Sequence, residues 1–327
     1  MAHNYSSVEG LFKILKVLYT PYHYFAIHFD EKVTQITYQG FVTLFKLHFG
    51  YPTNVQISQD RINVKWGEFS ILEAELLLLD MAFKWNKERP ADEKWERLLI
   101  LCGHSFPLQT IQSIEFAFYA MNKNMNILWD LEGPKKTCEY GQRYGEYCKR
   151  TSARCANPEC TKMTHSYKDF VIYKGSQWVS LTFEYVNYIY GEGAGDFHGL
   201  INFFQKSIFA PEELLFQTSI MNSRFNTTAV TGEVGNESAG SSVPYMFKTW
   251  TDCNSYPNPR PGASPCTLGK NDLSSISKMY KDGYLFARKF NPLDELHTKI
   301  EGNLVQRIVN SHSAKQENAQ MVQEILQ

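Results

Sequence analysis

Short apolar runs of β character alternate with helical segments of ten or more residues, and this alternation limits the fold more than any other feature of the chain. Tyr24 to Phe29, Val55 to Ser58, Trp95 to Cys102, Asn126 to Trp129, Phe170 to Tyr173, Trp178 to Leu181 and Tyr284 to Phe290 read as strands, with Arg61 to Trp66 a further extended piece. Leu11, Ile14, Leu15 and Leu18 recur at helical spacing between a capping box at Ser6–Glu9 and Pro21. Further helices are predicted over roughly 32–48, 68–87 and 108–121, with two past residue 195 and a polar C-terminal one over 292–326. Continuous apolar strands between such helices predict an α/β fold, its mostly parallel central sheet covered by helices on both faces. No internal repeat and no clear linker divides the 327 residues. They read as one domain (1–327) with a Cys-rich insertion at 131–165 and a C-terminal helix at 292–327.

Composition removes several classes. Lys plus Arg number 33 against 34 Asp plus Glu, so there is no cationic excess for a phosphate backbone, and nucleic acid is not an expected partner. A hydrophobic share of 43% at near-zero net charge excludes a disordered chain. No run reaches the roughly 18 apolar residues of a membrane helix: Ile71 to Phe83 comes nearest and is broken by Glu73, Glu75 and Asp80.

Six of the seven cysteines fall in polar loops that cannot pack themselves. Cys138, Cys148, Cys155 and Cys160 share the insertion, and Cys253 and Cys266 flank a Pro-rich loop. Disulfide staples are the favoured reading. Zinc is the rival, but no tight C-x2-C pair or matching His interval supports it. Cys102 lies in an apolar run and reads as an unpaired core thiol. The sequons at Asn4, Asn226 and Asn236 would fit a secreted chain, although chance supplies about as many.

No nucleophile elbow, H-E-x-x-H, Walker A or C-x-x-C motif occurs, and Gly191–Gly195 lacks the spacing of a dinucleotide fingerprint. Ligands in parallel α/β sheets sit beyond the carboxyl ends of strands, which directs attention to His28–Asp30 and Cys102–Ser105. Asp30 could accept hydrogen bonds from ribose hydroxyls or a base N–H, or simply cap the next helix. In Ala210-Pro211-Glu212-Glu213, Pro opens a helix and the acids suit its first turn, yet Glu213 precedes Leu214-Leu215-Phe216. A carboxylate at such a core boundary has the setting of a general base. Arg288 and Lys289 are adjacent cations in an apolar strand, so at least one faces inward and needs an anion, either a structural carboxylate or a phosphate. Trp66, Trp178 and Trp250 lie beside polar loops, where rings stack on sugars or fill the core.

In order along the chain, six segments resemble the core-2/I-branching glycosyltransferase family, which also holds the peptide O-xylosyltransferases. They are Leu18 to Pro21 with Ile27 to Lys32; Trp66-Gly67 before a helix; Leu101 to Thr110; Gly175-Ser176-Gln177-Trp178 continuing to Phe183-Glu184-Tyr185-Val186; Pro211-Glu212-Glu213; and Leu285 to Phe290.

The resemblance implies a nucleotide-sugar-binding fold of GT-A type and inverting, metal-independent transfer from a UDP-sugar, in keeping with the lack of any Asp-x-Asp in this sequence. It makes Glu213 the catalytic base and Arg288 and Lys289 the stabilisers of the UDP leaving group. Asp30, His28, Gly175 and Ser176 join them on the donor side, and Trp66, Trp250 and Ser105 border the sugar or acceptor. No cofactor is expected beyond the donor substrate. UDP-N-acetylglucosamine and an O-glycan or glycoprotein acceptor are the leading reading, with protein O-xylosylation and an inactive sugar-binding relative as alternatives. Ser105 and Ile100 depart from the family pattern on the acceptor side. The implied location is the Golgi lumen, as a type II membrane protein whose anchor and stem lie outside this chain.

Overall fold

Asn4 opens the first helix rather than Ser6. Its Oδ1 accepts from the Ser7 N–H and its own N–H donates to Ser7 Oγ, each at 2.8 Å, a reciprocal cap two residues earlier than the pattern predicts. The computed structural model describes residues 2, 4–120, 124–135, 168, 170–207, 210–230, 245–250, 253–256 and 264–307. The element order is α1 (Tyr5–Leu18), β1 (Phe25–Ile27), α2 (Gln35–Phe49), β2 (Val55–Ile57), α3 (Ser70–Lys87), β3 (Arg97–Leu99), β4 (Phe106–Pro107), α4 (Ile111–Ala120), β5 (Asn126–Leu128) and β6 (Glu132–Lys135). There follow β7 (Ile172–Lys174), β8 (Val179–Thr182), α5 (Phe183–Tyr190), α6 (Ala194–Ser207), α7 (Leu215–Met221), β9 (Ala229–Val230), β10 (Met246–Phe247), α8 (Leu273–Lys281), β11 (Phe286–Ala287) and α9 (295–307).

The α/β class holds, and the strand pairing is mixed rather than mostly parallel. Strands β1 and β2, β5 and β9, and β10 and β11 run parallel. The pairs β3/β8, β5/β8, β4/β11 and β6/β7 are antiparallel. The chain leaves β5, turns back through the β6/β7 pair, and so enters the central sheet at β8 running against both neighbours. That sheet has the order β3-β8-β5-β9. Strands are also shorter than the apolar runs, since Trp95 to Cys102 yields three paired residues and Tyr284 to Phe290 yields two. Arg61 to Trp66 carries no strand. The C-terminal helix is described over 295–307; the rest of its predicted range, and the insertion with Cys138, Cys148, Cys155 and Cys160, lie outside the described residues.

Three apolar clusters hold these layers. One joins α1, α4 and β11 through Leu18, Ile114 and Phe286; a second packs β8 with α5 to α7 through Leu181, Tyr185, Leu200 and Phe216; a third sets α1 and α2 on β1 through Leu15, Phe41 and Ile27. Between β1 and β3 lies a cavity of about 810 Å³, lined among others by Leu15, Ala26, Glu75, Leu79 and Leu99. Among the described residues, no helix is long and apolar enough to cross a membrane.

Candidate functional site

Pro211–Glu213 forms a 3-10 turn with Pro at its start, as its composition favours. Ala210 ahead of it is left-handed (φ 53°) and donates its N–H to the Gly67 carbonyl at 3.1 Å, which ties Trp66-Gly67 to this turn. Gly67 itself has φ 76°, a conformation that explains the glycine. The turn divides its two acids. Glu212 is only 5% exposed, while the Glu213 side chain is 37% exposed with its Oε2 3.3 Å from Lys174 Nζ. The helix that follows, α7, is buried along Leu215–Ile220, so Glu213 stands at the core boundary that the sequence predicts.

The loop after β7 meets the turn backbone to backbone, with Gly175 N–H donating to the Glu213 carbonyl at 2.9 Å. A Cβ on Gly175 would lie 2.9 Å from Gln217 Cγ and 3.2 Å from the Trp129 carbonyl oxygen, so only glycine fits this approach. Ser176 is buried. Its N–H donates to the Trp129 carbonyl at 2.7 Å, and its carbonyl accepts from Gln217 Nε2 at 2.7 Å. Its hydroxyl accepts from Lys248 Nζ at 3.3 Å. Lys248 also pairs with Asp130 and lies 6.0 Å from the Trp250 ring centroid. Sequence reasoning missed Lys248 and Asp130. The available signal was the placement of Lys248 just after the apolar pair Met246-Phe247 and two residues before Trp250.

Arg288 follows β11, and its guanidinium stacks on Trp178, 4.1 Å from the ring centroid, with its buried Nε lacking an acceptor. Trp178 is therefore a buried shelf for Arg288 and offers no face to a sugar. Burial lowers the Arg288 pKa, opposed by the electrostatic influence of Cys102 and Glu213. Burial in turn opposes ionisation of the Cys102 thiol, yet Arg288, the Ser105 hydroxyl and the His104 backbone bring it below its ordinary value. Lys289 Nζ donates to Ser264 Oγ at 2.7 Å, and the Lys289 carbonyl accepts from the Leu268 N–H at 2.6 Å. The Cys253–Cys266 disulfide staples this segment, as expected from the flanking of the Pro-rich loop, and Cys102 is free and buried.

Contacts thus link Glu213, Gly175, Ser176, Lys248 and Trp250 in one chain, and Arg288 joins it through the field of Glu213. Trp66 and Trp250 are 57% and 43% exposed beside it. Three predicted residues lie elsewhere. Asp30 is buried, its two oxygens taken by the Lys32 N–H at 2.8 Å and Lys32 Nζ at 2.7 Å, while Thr34 caps α2. His28 is buried with Nε2 accepting from the Ile62 N–H at 3.0 Å. Burial first, then nearby positive charge, lowers its pKa to about 4, so it is neutral. Ser105 is fully buried in a turn against Cys102 and faces no acceptor surface. Asn226 is exposed in a 3-10 turn, and Asn236 lies outside the described residues.

The family model of the Core-2/I-Branching enzyme matches residues 3–277. Xylosyltransferase oxt of Drosophila melanogaster is 22% identical over 303 residues, covering 89% of this chain and 31% of the relative. A beta-1,3-galactosyl-O-glycosyl-glycoprotein beta-1,6-N-acetylglucosaminyltransferase of Bos taurus is 22% identical over 214 residues, 64% of this chain and 45% of the relative. The corresponding enzyme 3 of Rattus norvegicus is 24% identical over 140 residues, 43% of this chain and 30% of the relative. The chain spans less than half the length of each. With a match over most of its length and an α/β fold of GT-A type, the chain belongs to the Core-2/I-Branching enzyme family of glycosyltransferases.

Proposed function

We propose that this chain transfers N-acetylglucosamine from UDP-GlcNAc to a hydroxyl of a glycan acceptor, with inversion and without a divalent metal. The observation that carries this reading is the half-exposed Glu213 carboxylate within the field of Arg288 and beside the Gly175-Ser176 loop. The acceptor hydroxyl takes the place of Lys174 at Glu213 and gives its proton to the carboxylate as its oxygen bonds to the anomeric carbon. The bond from that carbon to the UDP oxygen breaks, and the electron pair leaves on the diphosphate. Arg288 and Lys289 offset that charge. General base catalysis contributes roughly 10²–10⁴-fold, and fixed charge at the leaving group contributes at least comparably.

The test is transfer from labelled UDP-GlcNAc to mucin-type acceptors by the wild type and Glu213→Gln. A loss of roughly 10²-fold or more is expected; equal rates remove Glu213 from the mechanism.

The second reading is xylosyl transfer to a protein serine. It is favoured by the long match to the Drosophila xylosyltransferase and by Trp66-Gly67 at the Glu213 turn. Hydrolysis of a panel of UDP-sugars separates the two, and UDP binding without turnover of any donor identifies an inactive relative. The disulfide and the exposed Asn226 support a place in the Golgi lumen. A mobility shift on peptide N-glycosidase treatment, lost in Asn226→Gln, tests that compartment.

A further inference from the structure

Behind the exposed Glu213 lies a second, buried pair of carboxyls that the transfer mechanism does not use. Glu75 sits on α3, which packs against the Pro211–Glu213 turn, and it is 3% exposed; Glu212 in that turn is 5% exposed. Glu75 Oε1 accepts from Gln177 Nε2 at 2.7 Å, and Gln177 directly follows the Gly175-Ser176 loop. Each carboxyl leaves its Oε2 buried without a hydrogen-bond partner, and the charge of Glu212 acts on Glu75.

The remaining charges that act on the pair are few. Among the described residues, Lys174 and Glu213 act on Glu212 with opposite sign. Lys174 is itself engaged with Glu213. Two buried carboxylates on packed elements repel when both are ionised and no counter-ion is near, whereas a proton held by one of them removes that repulsion and gives its orphan oxygen a donor. Burial, together with the charge of Glu212, raises Glu75 well above its ordinary value, and burial raises Glu212 to about 8.

We propose that Glu75 and Glu212 form a proton-holding carboxylic acid pair that fastens the Glu213 turn to the Gly175–Gln177 loop, which makes Glu75 a positioning residue of the site. The pair spans both segments: Glu75 holds the loop through Gln177, and Glu212 is the residue next to the base. Its proton comes from solvent on folding and stays in place during transfer, while the acceptor's proton goes to Glu213. The role in transfer rests on the reading of Glu213 as base; the proton itself does not.

Infrared spectroscopy of the whole chain at about pH 7 reads the proton directly. The wild type is expected to show the carbonyl band of a protonated carboxylic acid, which is absent from Glu75→Gln/Glu212→Gln. Glu75→Ala, which strands Gln177 and Glu212, is expected to lose kcat roughly tenfold or more with little change in KM. Glu75→Gln, able to accept from Gln177 and donate to Glu212, is expected to restore much of that loss and to move the alkaline limb of the kcat profile. Absence of the band, or full activity with an unchanged pH profile in Glu75→Ala, overturns the proposal. If Glu75→Ala does not fold, the infrared comparison still decides. A persistent band beside a fully active Glu213→Gln would leave the acid pair standing and sink the base assignment alone.

Discussion

The backbone N–H of Gly175 donates to the carbonyl of Glu213 at 2.9 Å, so the glycine loop and the carboxylate turn are joined main chain to main chain. The two residues are remote in sequence, and this bond fixes how far the carboxylate stands from anything held by the loop. Gly175→Ala places a methyl 2.9 Å from Gln217 Cγ and 3.2 Å from a backbone oxygen that cannot yield. A cost of about 1–3 kcal/mol in stability is expected, with a fall in transfer rate at temperatures where the variant is still folded. Thermal melts beside rate measurements check it, and an unchanged melt would mean the loop yields.

Arg288→Lys keeps the charge and removes the planar stack on Trp178. Loss of a desolvated cation–π contact of about 0.5–2 kcal/mol predicts a fall of roughly 2- to 30-fold in kcat/KM for the donor. Steady-state kinetics against UDP-sugar concentration measures it. Parity with wild type would show that charge alone serves the leaving group.

Reduction of Cys253–Cys266, or Cys253→Ser with Cys266→Ser, opens a staple with a sequence separation of 13. A loss of about 3 kcal/mol is expected, seen as a lower melting temperature. Because Lys289 donates to Ser264 and Cys266 within this segment, donor affinity is expected to fall as well. Calorimetry with UDP on oxidised and reduced protein reads the second effect.

Acid weakens this protein through its buried imidazoles. Burial lowers His28 to about 4 and His297 to about 3, so each binds a proton more readily when unfolded. Stability is complete above the ordinary histidine value near 6.5 and falls as pH drops toward those lowered values, by at most roughly 3 kcal/mol for His28. The raised Glu212 acts in the opposite sense, since its contribution is lost as pH rises from the ordinary carboxyl value toward about 8. Urea unfolding from about pH 4 to about 9 is expected to give a maximum in between. His28→Gln is expected to flatten the acid side; an unchanged acid limb would count against a neutral His28.

A chelator is expected to leave transfer unchanged. With Arg288 and Lys289 proposed to hold the leaving diphosphate, salt rather than EDTA should weaken UDP binding, since partly exposed ion pairs are screened. Activity lost to EDTA and restored by manganese would refute that assignment.

Features set by local chemistry were legible in the sequence. Pro211 at the start of a helical turn and a carboxylate ahead of an apolar helix each follow from a few neighbouring residues. Features set by remote pairing were not. Lys248 meets Asp130 and Ser176 across 118 and 72 positions, and no local pattern announces either contact. Asp30 was legible as a carboxylate at a strand end, but its own i+2 neighbour Lys32 occupies it. The direction of β8 depended on the β6/β7 reversal, which strand spacing cannot express.

The cavity between β1 and β3 has a consequence for cooperativity. No backbone ladder crosses it among the described residues, and the β1/β2 pair meets the rest of the fold through side chains, by packing on α1 and α3 and through the His23–Glu115 ion pair. A unit coupled through side chains can open without the rest. In native-state hydrogen exchange the amides of Phe25–Ile27 and Val55–Ile57 should release earlier than those of Val179–Thr182, so that the half carrying His28 and Asp30 melts as a separate foldon while the half carrying Glu213 stays closed.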